Sequence, residues 1–157
     1  QMFVTKTVPY RKPFMTSLVA EALVEYYEQV AKDPAIVTKI AASADYEWAN
    51  LWNPTAKAFK YSDDTCTSVA NCPSRGDWGG PQNTTGNCGT CVSPDLNLFI
   101  APRWYWLWSV TRDPKYLAQG DAIWASGVTA TANLGKGKQF AQYMRWSILG
   151  LKRRDGR

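Results

Sequence analysis

Two stretches of this chain share one hydrophobic pattern. A run of apolar and aromatic residues (Leu23, Tyr26, Tyr27, Val30) leads into Lys32-Asp33-Pro34, and a second run (Ile36, Val37, Ile40) leads out to Trp48. Eighty residues on, Trp104, Leu107, Trp108 and Val110 lead into Arg112-Asp113-Pro114, and Tyr116, Leu117 and Ile123 lead out to Trp124. Asp is a favoured helix N-cap, and proline fits the first helical position because its missing N–H is not needed there. Each Asp-Pro therefore ends one helix and begins another, and repeated helix pairs are the expected unit of construction.

Periodicity predicts five helices. The first runs from about Pro13 to Ala31, with Phe14, Leu18, Ala22 and Tyr26 on one i, i+4 line and Met15, Val19, Leu23 and Tyr27 on the next, both expected to face the core. The second runs from Pro34 to about Trp52, where Asn53-Pro54 stops it. A third should start at Ser93-Pro94-Asp95 and carry Leu96, Phe99, Ile100, Trp104, Leu107 and Trp108, with a kink or break at Pro102. The fourth spans Pro114 to about Val128. The fifth spans roughly Gln139 to Leu151, with Phe140, Met144, Ser147, Ile148 and Leu151 expected on its inner face.

The fold class is thus all-α: two antiparallel helical hairpins plus a C-terminal helix. An extended arm (1–12) precedes a single helical domain (13–151), and a basic tail (152–157) follows it. Residues 53–93 interrupt the pattern with many Gly, Pro, Asn, Ser and Thr, and they hold all four cysteines. A loop this long is usually functional, disordered or cross-linked. The spacing Cys66-x5-Cys72-x15-Cys88-x2-Cys91 favours disulfides over a four-thiolate zinc site, because the first pair is too wide for a zinc ribbon; no metal or cofactor is expected. Cys66–Cys91 with Cys72–Cys88 is one nested pairing, and the other two remain open. Asn83-Thr84-Thr85 has the form of a glycosylation acceptor, in keeping with an exported chain.

Composition narrows the chemistry. There is no histidine, so Ser-His-Asp and Cys-His catalysis within this chain are excluded. Lys and Arg exceed Asp and Glu by 18 to 13, with much of the excess near the C-terminus. No nucleic-acid motif accompanies that charge, so a solvated helix face and tail is the expected reading. No apolar stretch is long enough to cross a bilayer. The start lacks a signal-peptide pattern, and a first residue of Gln1 is expected of a mature, processed or excised piece of a longer product.

The stretch "IAPRWYWLWSVT" followed by "RDPKYLAQGDAIW" resembles the helical-hairpin repeat of (α/α)-toroid proteins, the architecture of many polysaccharide lyases, unsaturated-glucuronide hydrolases and sugar epimerases. Thr111-Arg112-Asp113-Pro114 stands where that family has a Thr-Gly-Asp-Pro-like turn. Pro94-Asp95-Leu96-Asn97, Lys138-Gln139-Phe140 and Arg145-Trp146-Ser147 are similar to the C-terminal portion of uncharacterised exported bacterial proteins of that kind. A complete toroid needs about a dozen helices, so five do not close a central cleft.

The resemblance implies an extracellular, periplasmic or cell-surface location and a polysaccharide or other glycan as partner. Glycan chemistry uses paired carboxylates, and aromatic rings cover the apolar faces of sugars. Asp95 and Asn97 at the start of the third helix, Asp77 and Trp78 in the cysteine loop, and Arg103 with Tyr105 are the candidate ligand-binding residues. Trp104 and Trp108, at i and i+4, are expected in the core, which puts Tyr105 on the opposite, exposed face. Glu21, Glu25 and Glu28 read as a solvated face, Asp45 as a partner for an arginine or a neighbouring helix end, and Arg145 beside Trp146 as a buried ion pair or a stacked cation.

The leading expectation is an exported helical-repeat domain that binds or organises macromolecules, glycans among them, without a complete catalytic site. The alternatives are a fragment of a carbohydrate-active lyase, hydrolase or epimerase, and a structural subunit of a surface or filament assembly in which copies of the chain pack together.

Overall fold

A computed structural model of the chain describes residues 11–63, 92–134 and 137–156. The arm to residue 10, Cys66, Cys72, Asp77, Trp78, Asn83, Cys88, Cys91 and the side chain of Phe140 lie outside the described residues. Among the described residues the protein is mostly helical: α1 (Pro13–Gln29), α2 (Pro34–Leu51), α3 (Asn97–Thr111), α4 (Pro114–Leu134) and α5 (Gly137–Arg154). A two-stranded antiparallel hairpin, β1 (Trp52–Asn53) with β2 (Ala58–Phe59), follows α2, and a 3-10 turn (Pro94–Leu96) precedes α3. None of these helices is long and apolar enough to cross a membrane.

The repeated turn works as its chemistry dictates. Asp33 Oδ1 accepts the Ala35 N–H at 2.8 Å, and Asp113 Oδ1 accepts the Lys115 N–H at 3.0 Å, so each aspartate caps a helix that opens on proline. The preceding helix ends differently in the two copies. Arg112 closes α3 in the left-handed region (φ 59°, ψ 17°), a place normally given to glycine, whereas no residue of the first turn has positive φ.

α3 is the hub. Asn97, Leu98 and every residue from Ile100 to Leu107 are buried, because α1, α2, α4 and α5 all pack against it. A helix apolar on all sides needs such a jacket. Pro102 sits inside α3 without ending it, so of the expected kink or break the break does not occur. Glycines on the neighbours set the approach. A Cβ on Gly120 would stand 2.8 Å from the Tyr105 ring, and one on Gly127 would stand 2.8 Å from the Leu98 backbone nitrogen. Tyr105 is therefore 1% exposed, which corrects the expectation of an exposed ring.

Two further expectations about faces are overturned in part. On α1 the buried residues are Pro13, Ser17, Ala20 and Val24; Phe14, Leu23 and Tyr27 of the two apolar lines pack half-buried against the core, while Leu18, Val19, Ala22 and Tyr26 face solvent. On α5, among the described side chains, Gly150 and Arg153 are buried and Trp146, Ser147 and Leu149 half-buried, whereas Met144, Ile148 and Leu151 of the expected inner face are exposed. The physical reason lies in close approach. Gly150 faces Pro102 and Tyr105, and Trp146 meets Phe99 edge to face with centroids 4.5 Å apart. The side that lets the helix axes come together wins over the side with more aliphatic carbon.

No alternating apolar pattern marks the hairpin after α2. Asn53 Oδ1 accepts the N–H groups of Thr55 and Ala56, turning the chain so that Phe59 enters the core among Trp48, Trp52 and Trp104. Lys60 then bridges to Val92, and the Ser93 N–H donates to the Phe59 carbonyl at 2.9 Å. Residues 59–60, before the cysteine-containing segment, and 92–93, after it, thus lie side by side.

Candidate functional site

Of the six candidate ligand residues, four are described, and the fold uses all four internally. Arg103 on α3 forms a buried ion pair with Glu47 on α2, and its guanidinium lies 4.3 Å from the Trp104 ring centroid. Both partners are almost wholly enclosed, and Glu47 Oε1 and Arg103 Nε and Nη1 have no hydrogen-bond partner among the described residues. Asn97 donates through Nδ2 to the Lys57 carbonyl at 2.9 Å, tying the β-hairpin to α3. Asp95 is buried in the 3-10 turn, as an acid in the first turn of a helical segment. Ser93 precedes that turn but makes no side-chain cap.

Tyr105 donates its hydroxyl to Asp121 Oδ1 at 2.9 Å, and Arg154 grips the same carboxylate through Nε (2.7 Å) and Nη2 (3.1 Å). Burial first, and then the hydrogen bond to Asp121, push the Tyr105 hydroxyl pKa well above its ordinary value. The Arg154 guanidinium, followed by the Tyr105 hydroxyl, holds the Asp121 carboxyl below the usual range against an opposing desolvation. These are positioning contacts for α5, and they do not converge on an open cleft.

Asp45 meets a lysine rather than an arginine. It accepts from Lys115 Nζ at 3.0 Å and from the Tyr116 hydroxyl at 3.3 Å, joining α2 to the start of α4. Its hydrogen bond is the main cause that raises the Lys115 pKa. Arg145 is exposed, with its guanidinium 5.6 Å from the Trp146 ring centroid, so the stacked-cation alternative describes it.

An open feature of the described surface is a groove of about 310 Å³ between α1 and α5. Glu21, Glu25, Glu28 and Gln29 form one wall; Arg145, Ile148, Leu149, Lys152 and Arg153 form the other. The helical period explains the acidic wall, since 21, 25 and 28 fall on one side of α1. Arg153 binds Glu21 through two 2.7 Å hydrogen bonds, which close one end. Because Glu21 is the first groove residue of α1 and Arg153 the last of α5, the two helices run antiparallel along it. Glu28 accepts the Trp106 indole N–H at 3.0 Å. Glu25, Arg145 and Lys152 are exposed and form no ion pair with a described residue.

The solvated-face reading holds for the exposed Glu25 and Glu28, while Glu21 is drawn into the Arg153 ion pair, and the three together form a groove wall that reading does not include. The available signal was their shared spacing together with the consecutive cations at Lys152, Arg153 and Arg154, which favour a helix C-terminus and need acidic partners. Arg153 and Arg154 diverge by one residue's rotation, so one reaches Glu21 on α1 and the other Asp121 on α4. None of the lining residues is aromatic. Among the described residues no group of three or more acidic or cysteine side chains is placed to hold a metal ion.

Comparison with protein-family models, with curated proteins and with solved structures gives no match in any of the three.

Proposed function

We infer that this chain is an exported helical-repeat domain of toroid-like construction that binds or organises other macromolecules without completing a catalytic site of its own. Its cysteine segment is cross-linked by disulfides outside the reducing cytoplasm. The observation that carries this reading is the α1–α5 face, a groove with an acidic and a basic wall beside exposed aliphatic side chains. Opposed charges with an apolar strip suit the side chains of a polypeptide, as in helix-in-groove recognition. A sugar-binding face favours flat aromatic rings, and this groove has none in its lining. Polypeptide is therefore the better-supported partner class at this face.

The test is an immobilised full-length chain probed in parallel with a glycan array and a panel of amphipathic helical peptides. Peptide binding is expected, with loss in Ile148→Asp and retention in Lys39→Ala, whose lysine is exposed on α2. Glycan binding indifferent to Ile148→Asp, or release of reducing sugar from a polysaccharide, would overturn the reading.

A further inference from the structure

The α1–α5 face is complementary to itself. Its two walls carry opposite charge on antiparallel helices, and Glu25 on one wall and Arg145 and Lys152 on the other form no ion pair with another described residue. Each helix also leaves an apolar line outside: Leu18, Ala22 and Tyr26 on α1, and Met144, Ile148 and Leu151 on α5. Helical spacing marks both lines as core positions, yet one chain covers neither. Paired exposed apolar strips flanked by charge are the form of an interface between subunits.

Charge decides how two copies can meet. A twofold axis across the groove would lay α1 on α1 and α5 on α5, acid against acid and base against base. An axis running along the groove lays α1 of the second copy over α5 of the first, and the reverse. Glu25 of each copy then faces Lys152 and Arg145 of the other, and the Ala22–Tyr26 strip lies over the Ile148–Leu151 strip. Every favourable contact occurs twice, as an isologous interface requires. We propose that the occupant of this groove is a second copy of this chain, docked about that axis as a symmetric dimer. The proposal rests on the reading of the α1–α5 face as a docking surface and names its partner.

Sedimentation equilibrium of the full chain over a wide concentration range tests it, with Glu25→Lys, Lys152→Glu and the double variant. Both residues are exposed, so neither exchange disturbs the core. A monomer–dimer equilibrium is expected, weakened by salt and by about tenfold or more in each single variant, because like charges then face each other. The double variant restores opposite charge across the interface and should return to within about threefold of the parent, a signature that a merely structural role does not produce. A chain that stays monomeric overturns the dimer while leaving heterologous peptide binding at this face intact. Dimerisation unchanged by either single variant places the contact elsewhere and also overturns it. If neither dimer nor peptide binding is found, the docking-surface reading itself fails.

Discussion

The two helical hairpins begin alike and end in different environments. α2 and α4 both start at an aspartate cap followed by proline, and in each the aspartate carboxylate accepts the N–H of the second residue after it. Yet α3 is buried along ten of its fifteen residues, while α1 buries four of seventeen. The turn motif fixes where a helix starts. How much of that helix is covered depends on how many neighbours can come close; α3 has four helices around it, and Gly120 and Gly127 let α4 approach it closely. α1 sits at the periphery and keeps an outward face for other uses.

The sharpest way to break the contrast is at the buried charge pair that joins α2 to α3. Glu47→Ala strands the enclosed Arg103 guanidinium and should cost about 3–5 kcal/mol of unfolding free energy in urea titrations. A loss below about 1 kcal/mol would mean that water reaches the pair and that α3 is less enclosed than described. The next contrast is hydrophobic. Leu107→Ala on α3 should lose about 2–5 kcal/mol, whereas Leu18→Ala on α1 should stay within about 0.5 kcal/mol, because Leu107 is fully enclosed and Leu18 is 40% exposed. These values apply to the monomer. If Leu18→Ala costs as much as Leu107→Ala, the buried side of α1 has been misassigned.

Element type was legible because caps and periodicity are local. Asp33-Pro34 and Asp113-Pro114 start helices whatever surrounds them, and Trp104 lies in the core as its spacing requires. Facing was less legible. α1 and α5 each offer more than one apolar line, and small residues at Ser17, Ala20 and Gly150 decided which line turned inward. The same limit explains the candidate ligand residues. Arg103 and Tyr105 looked available because the partners that enclose them, Glu47 and Asp121, are remote in sequence. Asn97 was spent on a hairpin that no alternating pattern announced.

Acid titration sharpens the comparison at the far end of α5. The Asp121 carboxyl has a folded pKa below its ordinary value, so its contribution is present above the unfolded pKa, near 4, and is lost as pH falls through the folded one. Asp121→Asn should flatten the fall in stability below about pH 4 and cost less than about 1 kcal/mol at neutral pH, since both Asp121 and Arg154 are more than a third exposed. An unchanged acid limb would show that the Arg154 contact does not discriminate between protonation states.

The smallest effect separates the two turns themselves. Arg112 holds a left-handed backbone that costs a side-chain-bearing residue roughly 1 kcal/mol, offset in part by its guanidinium 5.4 Å from the Trp108 ring centroid. Arg112→Gly relieves that cost but gives the unfolded chain more freedom, for a net change from zero to a gain of about 0.5 kcal/mol. Lys32 occupies the matching position before Asp33 with no positive φ to relieve, so Lys32→Gly should lose about 0.5–1 kcal/mol. Opposite signs in thermal melts of the two variants would tie the difference to backbone conformation. Equal losses would mean that the cation over Trp108 matters more than the strain beneath it.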